Sequence, residues 1–510
     1  MPHHHTPATL WSIAGTDSGG GAGLSADQRA AEALGLHLCP VPAAITAQNS
    51  VTVTQVQAVS PDLLRAQLAT LHADLPPRAV KTGLLGSAEN ARELARAIDR
   101  LRRERPVPLV VDPVLRASTG AALANGALLG AYRHEVLPRA SVVTPNCREA
   151  VALLGAAPDT PAPELAQGLL GLGAQAVVIT GGDEGGHLSA DWLHTPHAQG
   201  WLSLPRVPTP HHHGTGCTFA SALAAALALG WVAADAAVLA KMLTTHALRR
   251  ATALGGGAGP VRAGTGFGAD ASLMPQLSLG DALPTAWRAS PAAPAPGLYA
   301  IVDSAARVQA CARAGADTVQ LRFKHHDPAR IAAEVRAALA NTDGARVVIN
   351  DHWRLALDLG ARELHLGQED LLALSPADHA RLAQARAQGV RLGLSSHSLW
   401  ELCRARGLAP DLIACGPVWP TTTKDMPWRP QGLDNLAWWA RMAGAPVVGI
   451  GGVLAPEQLR AVAASGAAGG CVVRGLGDDP ALTLPVWREA WQAGQQDAPL
   501  PCPELPHPTL

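Results

Sequence analysis

Residues 297–495 carry eight short apolar runs, most of them followed by an alanine-rich segment of helical character. The runs read GLYAIVD, TVQLRFK, RVVIND, ELHLG, RLGLSSHS, LIACGPVW, PVVGIGG and GGCVVRG. Eight strand–helix units in about 200 residues are the number that a compact (β/α)8 TIM barrel requires. Because the catalytic groups of such barrels lie where the strands end, the polar residues after these runs are the first candidates for a site.

The preceding part of the chain alternates in the same general way but with more varied spacing. From Leu10 to about Leu254, strand-like runs such as TLWSIAG and PLVVDPV alternate with helical segments rich in Ala, Leu and Arg. This rhythm predicts an open α/β sheet. The stretch from 255 to 297 is rich in Gly, Pro and Ala, which indicates a closing loop and a linker. We predict a first domain over 1–265, a linker over 266–296, the barrel over 297–495 and a loose Pro-rich tail over 496–510.

Charge and composition argue against a nucleic-acid or membrane protein. The formal net charge is -1, and the aromatic residues are only 13 Trp, 2 Tyr and 3 Phe. Such a chain has no field that would gather nucleic acid or anionic lipid, and few platforms for base stacking. The eight cysteines contain no C-x-x-C pair, and no basic, signal-like segment opens the chain. We therefore expect a cytoplasmic protein with small-molecule substrates, with a homo-oligomer left open.

Lysine is rare in this chain. The four lysines are Lys81, Lys241, Lys324 and Lys424, against 36 arginines. In so lysine-poor a sequence, a lysine either marks a place that needs a compact ammonium group or survives by chance, and the sequence leaves both explanations open.

Two glycine-rich turns in the first half predict an anion site. The segment AGTDSGGGAGLSAD, residues 14–27, lies between a strand and a helix, and HGTGCTF, residues 213–219, opens a long helix. Backbone N–H groups from Gly214 to Cys217 would point toward the positive end of the helix dipole and stabilise a phosphoryl group. Cys217 in this position should have a lowered pKa and could accept a proton. A small buried cysteine without chemistry is the alternative.

The order of motifs in the first half resembles that of hydroxymethylpyrimidine/phosphomethylpyrimidine kinases, which are ribokinase-like. The motifs are AGTDSGGGAG, TAQN at 46–49, VKTG at 80–83, VDPV at 111–114, TPN at 144–146 and HGTGCTF. The resemblance implies a ribokinase-like open α/β sandwich that uses ATP and Mg²⁺. It implies that Gln48 binds the aminopyrimidine, and that Asp27 and Gly15 line the same pocket. The ATP and phosphate site would include Asp112, Asn146, Gly214 and Gly216, with Cys217 where related sugar kinases carry an aspartate base.

The barrel sequence places cations and carboxylates after its strands. Arg322 and Lys324 in QLRFK are two positions apart in a strand, so their side chains point to the same face. Two cations in this arrangement are suited to binding a diphosphate. Asp351 and Asp370 follow the next two strands and could hold Mg²⁺ together with phosphate oxygens. Lys424 follows a run of three threonines that could bind a further phosphate.

These barrel motifs resemble thiamine phosphate synthases over roughly 297–495. The resemblance implies that Asp351 and Asp370 bind Mg²⁺. It implies a site for the pyrimidine diphosphate made by Gln320, Arg322, Lys324, Asn350, Ser395 and Lys424. Thr421, Thr423 and Gly452 would hold the thiazole phosphate. Together the two resemblances predict one chain that makes a pyrimidine diphosphate and then condenses it with a thiazole phosphate.

Two departures from the family patterns keep alternatives open. Thr180 stands where the kinases usually have a lysine, and Arg474 stands where the synthases usually present a small hydroxyl residue. The first departure allows a kinase-like half that binds pyrimidine as a regulatory module without turnover. A sugar kinase joined to another phosphate-binding barrel is disfavoured by Gln48 and by Cys217 in place of an acid.

Overall fold

The computed structural model describes residues 6–116, 123–182, 185–340, 342, 344–421 and 427–510. The chain divides into two compact units, Met1–Trp287 and Arg288–Leu510. The division falls inside the segment predicted as a linker. Part of that segment is ordered within the first unit, since a short strand, Gln276–Leu277, pairs antiparallel with an earlier strand.

The first unit is built on a ten-stranded sheet with the order β10-β9-β8-β7-β6-β5-β4-β1-β2-β3. The central strands are parallel, whereas β3, β8, β9 and β10 run antiparallel to their neighbours. This is the open α/β sheet that the alternating pattern predicts. The strands are β1 Thr9–Gly15, β2 His37–Gln48, β3 Val53–Ala58, β4 Ala79–Thr82, β5 Leu109–Val111, β6 Val142–Val143, β7 Val177–Ile179, β8 Leu188–His194, β9 Gln199–Pro205 and β10 Gln276–Leu277.

Eight α-helices accompany this sheet in the described part of the unit. They are α1 Gly23–Ala33, α2 Pro61–Asp74, α3 Ala88–Glu104, α4 Gly126–Ala131, α5 Cys147–Leu154, α6 Ala162–Gly171, α7 Thr215–Ala228 and α8 Ala233–Arg249. Helix α7 is buried over most of its length, which its small apolar residues allow because they permit close packing. Within the described ranges, no helix combines the length and apolar character needed to cross a bilayer.

The second unit is a closed barrel of eight parallel strands, which confirms the predicted (β/α)8 fold. The strands are β11 Gly297–Val302, β12 Thr318–Leu321, β13 Arg346–Asn350, β14 Glu363–Leu366, β15 Arg391–Ser396, β16 Leu412–Cys415, β17 Val447–Gly449 and β18 Gly469–Val472. The helices are α9 Ala305–Arg313, α10 Pro328–Leu339, α11 Trp353–Asp358, α12 Gln368–Leu372, α13 Pro376–Ala387, α14 Leu399–Gly407, α15 Gly432–Met442, α16 Pro456–Ala464 and α17 Pro480–Gln496. Tyr299, Ile301, Val348, Leu412, Val448 and Cys471 form the apolar interior of the barrel.

The segment after α17 is ordered, and the prediction of a loose tail is wrong. Leu500 N donates to Ala464 O, and the indole of Trp438 donates to Glu504 O. Thr509 is 1% exposed. The Pro-rich composition suggested disorder, but prolines also favour an extended chain, and here polar side chains of the barrel satisfy its carbonyls.

Candidate active sites

The glycine-rich loop after β1 is organised by one carboxylate. Asp17 Oδ1 accepts from Gly19 N at 2.8 Å, and Oδ2 accepts from Gly21 N at 3.0 Å and Ala22 N at 2.8 Å. His213 Nε2 lies 2.8 Å from the same Oδ2, so the pair joins this loop to the turn that opens α7. Burial raises the pKa of Asp17, but hydrogen bonds from His213, Ala22 and Gly19 outweigh it and leave the pKa below its usual value.

The turn before α7 packs directly on this loop. Gly214 has φ +88°, and a Cβ there would lie 2.3 Å from Gly21 O. Only glycine permits both this conformation and this approach. Gly216 is exposed in the first turn of α7, where the first backbone N–H groups have no intrahelical acceptors. The two predicted glycines therefore lie at a helix N-terminus suited to an anion.

Asp27, predicted to line the pyrimidine pocket, is enclosed by other side chains of the first unit. Its carboxylate is fully buried and accepts from Ser12 Oγ at 2.6 Å and Ser221 Oγ at 2.7 Å. It also accepts from Lys81 Nζ at 2.9 and 3.1 Å. With its oxygens occupied in this way, Asp27 is placed to hold Lys81 rather than to contact a ligand.

Lys81 is fully buried at the end of β4 and was not predicted as a site residue. Its Nζ lies 3.7 Å from Asp112 Oδ2. Burial lowers the pKa of this ammonium group, but the neighbouring Asp27, Cys217 and Asp112 raise it above its usual value. The rarity of lysine in the chain was the available signal, and the sequence could not separate it from chance.

Asp112, which follows β5, forms an ion pair with Lys81 at a distance of 3.7 Å. Its Oδ2 has no hydrogen-bond partner among the described residues. Burial raises the pKa of Asp112 to about 6, against the lowering effect of Lys81. A buried carboxyl with an unpartnered oxygen and a perturbed pKa is typical of a functional site.

Cys217 is the third residue of α7 and half-buried. Burial raises the pKa of its thiol to about 12, although Lys81 lowers it and Asp27 and Asp112 raise it further. The prediction of a lowered thiol pKa is therefore wrong, because loss of hydration and two nearby carboxylates outweigh the ammonium group and the position in the helix. At neutral pH the group is a thiol.

Alkylation of Cys217 should report this raised pKa. At pH 8 we expect iodoacetamide to modify Cys217 at least about 100-fold more slowly in the folded chain than in the urea-unfolded chain, because thiolate is the reactive form. Since the raised pKa of the thiol lies above the pH range of the experiment, the alkylation rate of Cys217 should increase about tenfold per pH unit up to pH 10. Mass spectrometry of the Cys217 peptide measures it, and a plateau near pH 7 would contradict it.

The remaining predicted kinase residues lie beside the glycine-rich loop or near the ends of other strands of the same sheet. Gln48 ends β2, and its backbone N donates to Ser18 Oγ at 2.8 Å. Gly15 ends β1 and is buried. Asn146 Oδ1 accepts from Glu149 N and caps α5, so this oxygen already has a structural role. Thr180 and Asn146 pair through an isolated parallel β-bridge.

In the barrel, a cavity of about 500 Å³ opens where the strands end. It gathers the predicted barrel residues from six of the eight strand ends and their loops. The predicted residues that line it are Gln320, Arg322, Lys324, Asn350, Asp351, Asp370, Ser395, Thr421 and Gly452, together with Arg474. The predicted Thr423 and Lys424 lie outside the described residues.

Carboxylates and cations meet on one side of this cavity. Burial raises the pKa of Asp351, and the charge of Asp370 raises it further, whereas Arg322 and Lys324 lower it. Asp351 has φ +66°, a left-handed conformation that is uncommon outside glycine. Asp370 Oδ2 accepts from Gly367 N at 2.9 Å and so orients the carboxylate at the start of α12. Such strain at a cluster of charges is a feature of functional sites.

A chain of hydrogen bonds orients the amides at the cavity floor. Tyr299 OH donates to Gln320 Oε1 at 2.7 Å, and Gln320 Nε2 donates to Asn350 Oδ1 at 2.9 Å. Ser395 Oγ lies 2.9 Å from His365 Nε2. The pKa of His365 is lowered to about 4, mainly by burial and also by the nearby charges of Arg322 and His397. The imidazole is therefore neutral at physiological pH.

The comparisons with known proteins agree with this arrangement. A family model described as phosphomethylpyrimidine kinase matches residues 17–262, and one described as thiamine monophosphate synthase matches residues 298–476. A probable thiamine biosynthetic bifunctional enzyme, chloroplastic, of Oryza sativa subsp. japonica is 31% identical over 481 residues, which cover 89% of this chain and 82% of that protein. The chain belongs to the family of bifunctional thiamine biosynthetic enzymes.

Relatives of the separate halves support the same assignment for this bifunctional enzyme. A hydroxymethylpyrimidine/phosphomethylpyrimidine kinase of Synechococcus elongatus is 41% identical, covering 49% of this chain and 95% of that protein. A thiamine-phosphate synthase of Rhizobium etli is 44% identical, covering 36% of this chain and 87% of that protein. The first half is thus a phosphomethylpyrimidine kinase and the second a thiamine phosphate synthase. This disfavours a kinase-like half without turnover. The cytoplasmic location stays a prediction.

The bifunctional enzyme has an aromatic wall in its barrel cavity that sequence reasoning missed. We define this wall as His397 and Trp428, whose rings stack 5.5 Å apart at 10°. Both residues line the cavity, and His397 Nδ1 lies 2.8 Å from Glu401 Oε2. The SSHS motif was visible in the sequence, but nothing local relates it to a tryptophan 31 positions further along the chain.

Proposed function

We propose that this bifunctional enzyme catalyses successive steps of thiamine phosphate formation. The first domain would phosphorylate 4-amino-5-hydroxymethyl-2-methylpyrimidine with ATP, and then its monophosphate, to give the diphosphate. The barrel would condense that diphosphate with 4-methyl-5-(2-phosphoethyl)thiazole. The observation that carries the proposal is the gathering of Arg322, Lys324, Asp351 and Asp370 at one cavity, in a chain whose other half belongs to a kinase family.

In the first domain, backbone groups and one ammonium group manage the phosphoryl charge. Backbone N–H groups in the first turn of α7 would stabilise a developing negative charge, and phosphoryl transfer depends mostly on such positioning and electrostatic stabilisation. Lys81, which is ion-paired with Asp27 and Asp112 and interacts electrostatically with Cys217, would contribute a positive charge to this site. The substrate hydroxyl proton would leave as the O–P bond forms. Because Cys217 is a neutral thiol, we propose that it relays this proton: its sulfur accepts the hydroxyl proton while its own S–H proton passes to an oxygen of the transferred phosphoryl group, and ADP leaves with the electron pair of the broken P–O bond.

In the barrel, the proposed reaction is a substitution at the pyrimidine methylene carbon. The C–O bond to diphosphate breaks, the diphosphate leaves with the electron pair, and the thiazole nitrogen supplies the pair for the new C–N bond. Arg322 and Lys324 would bind the leaving group and stabilise its charge. Gln320 and Asn350, fixed in orientation by Tyr299, would bind the pyrimidine diphosphate.

Mg²⁺ fits the carboxylate pair of the barrel. Among the described residues, no three His, Cys, Asp or Glu side chains gather into a metal cage. Mg²⁺ commonly needs only one or two carboxylates, with substrate phosphates completing its shell. Asp351 and Asp370 repel each other, as the raised pKa of Asp351 indicates, and a cation between them would relieve that repulsion. When bound, Mg²⁺ would neutralise diphosphate oxygens.

Product analysis tests the proposal directly. Purified enzyme given the pyrimidine alcohol, the thiazole phosphate, ATP and Mg²⁺ should release ADP and form thiamine phosphate. Enzyme given the synthetic pyrimidine diphosphate instead should form thiamine phosphate without ATP. Failure of every combination of phosphorylation states would refute the proposal, whereas success of the second reaction alone would refute only its kinase half.

Replacing Asp112 by asparagine should stabilise the first domain while weakening the kinase. Since the pKa of Asp112 is raised from 3.8 to about 6 in the folded chain, its ionisation opposes folding. This penalty grows as the pH rises from about 4 to 6 and is constant above. At pH 7 we expect Asp112→Asn to raise the unfolding free energy of this domain by about 3 kcal/mol.

Urea unfolding of the first domain, followed by pulse proteolysis at pH 4.5 and pH 7, measures this difference. Kinase activity, followed by ADP release, should fall at least about tenfold, because the proposed Mg-ATP site loses a carboxylate that would bind Mg²⁺. A less stable variant at pH 7, or one with full kinase activity, would contradict the prediction.

A further inference from the structure

The segment 503–510 lies against the two loops that carry the aromatic wall. Thr509 Oγ1 donates to His397 O at 2.9 Å, and Arg429 N donates to Thr509 O at 2.8 Å. One residue thus joins the backbone of His397 to the backbone next to Trp428. These are the two members of the wall.

A second set of hydrogen bonds supports this contact. His507 N donates to Asn435 Oδ1 at 2.8 Å, and Asn435 Nδ2 donates to His507 O at 3.0 Å and to Gln431 Oε1 at 3.0 Å. Gln431 is fully buried, and its Nε2 donates to His397 O at 2.7 Å. His397 O therefore accepts two hydrogen bonds, one from Thr509 and one from Gln431, which uses both of its lone pairs.

We propose that the segment 503–510 positions the aromatic wall of the synthase site, with Thr509 as its positioning residue. The physical reason is that the two rings belong to different loops of the barrel. His397 follows β15, whereas Trp428 lies in the loop between β16 and α15, so no single element sets the distance between them. Gln431 already joins the Trp428 loop to His397 O, and a chain segment that bonds to both backbones adds a second constraint. The inference rests on the proposed synthase activity of the barrel.

Three threonine substitutions test the proposal. Thr509→Val removes the hydroxyl and keeps the shape, Thr509→Ser restores the hydroxyl, and Thr318→Val is the matched control. Thr318 is buried and donates to Pro296 O at 2.8 Å, but it begins β12 at the opposite end of the barrel from the cavity. Thr318→Val therefore removes the same kind of bond without touching the wall.

For Thr509→Val we expect the KM of at least one synthase substrate to rise about threefold to tenfold, the usual effect of one lost hydrogen bond. The kcat should change less than twofold, since the reacting charges are untouched. Thr509→Ser should stay within twofold of the parent, and Thr318→Val should leave both KM values unchanged. Kinase activity should be unchanged in all three variants. Equal KM values in Thr509→Val and the parent would overturn the proposal.

Amide hydrogen exchange provides a readout that does not depend on synthase activity. Amides in residues 428–431 should exchange at least threefold faster in Thr509→Val than in the parent or in Thr318→Val. If the parent forms no thiamine phosphate, the proposed function fails, and the exchange rates still decide whether Thr509 holds the wall. Exchange that is equal in all variants would overturn the positioning role.

Discussion

Replacing Asp351 by alanine is expected to abolish thiamine phosphate formation and leave pyrimidine phosphorylation intact. Asp351 lies in the charged part of the barrel cavity, beside Asp370, Arg322 and Lys324. Loss of this carboxylate removes half of the proposed Mg²⁺ site, and stabilisation of the departing diphosphate depends on that charge. We expect synthase kcat/KM to fall at least about 1,000-fold, measured with the synthetic pyrimidine diphosphate.

The left-handed backbone of Asp351 requires a second variant. Alanine at φ +66° adds strain, whereas asparagine tolerates this conformation and keeps the size of the side chain. Asp351→Asn should therefore lose the activity without the strain. Asp378→Ala is a matched control, since Asp378 binds Arg354 outside the cavity. Full synthase activity in Asp351→Asn would contradict the proposed role of Asp351, and loss of kinase activity together with synthase activity would contradict two independent sites.

Replacing Lys81 by methionine should inactivate the kinase and destabilise the first domain. Lys81 and Asp27 form a fully buried ion pair at 2.9 Å, and Ser12 and Ser221 also donate to the carboxylate. Removal of one member leaves a buried carboxylate without its cation, which costs about 3–5 kcal/mol of unfolding free energy. The phosphate site also loses its fixed positive charge, so kinase kcat/KM should fall at least about 100-fold.

A double variant separates these two effects. Lys81→Met combined with Asp27→Asn removes both charges, so its unfolding free energy should fall by clearly less than the sum of the two single changes. Kinase activity should stay low, because the ammonium group is still missing. Synthase activity of the same preparations is the internal control and should not change. Full kinase activity in Lys81→Met would rule out the proposed role.

Some parts of the candidate sites could be predicted because the fold itself places them. Parallel strands of a closed barrel all end at one mouth, so Arg322 and Asp351, 29 positions apart, had to come together once the eight runs were identified as strands. By contrast, the turn at 213–217 follows β9 near one edge of the other sheet, so strand order does not place it beside the loop after β1, and only the contacts of His213 with Asp17 and of Gly214 with Gly21 show that the two meet. The roles assigned to these residues remain proposals.

Other properties depended on burial and on partners that no local pattern reveals. The charge environment of Cys217 could not be predicted because Lys81, Asp27 and Asp112 come from three different elements. Asp27 has the residue type of a ligand-binding group, yet its hydrogen bonds to Ser12 and Ser221 turn it into a support for Lys81. Thr509 was predicted to lie in a loose tail because a Pro-rich composition suggests a flexible segment. Composition does not reveal the hydrogen-bond acceptors that the barrel provides for this segment.

The sequence by itself determined the two folds, their order and the strand ends where charged groups collect, because hydrophobic periodicity and glycine placement are local properties of the chain. Only the tertiary structure decided which charged groups are buried, which are paired and which face a cavity. Those outcomes depend on distances between segments far apart in sequence and on the loss of water around them, and both appear only when the chain has folded.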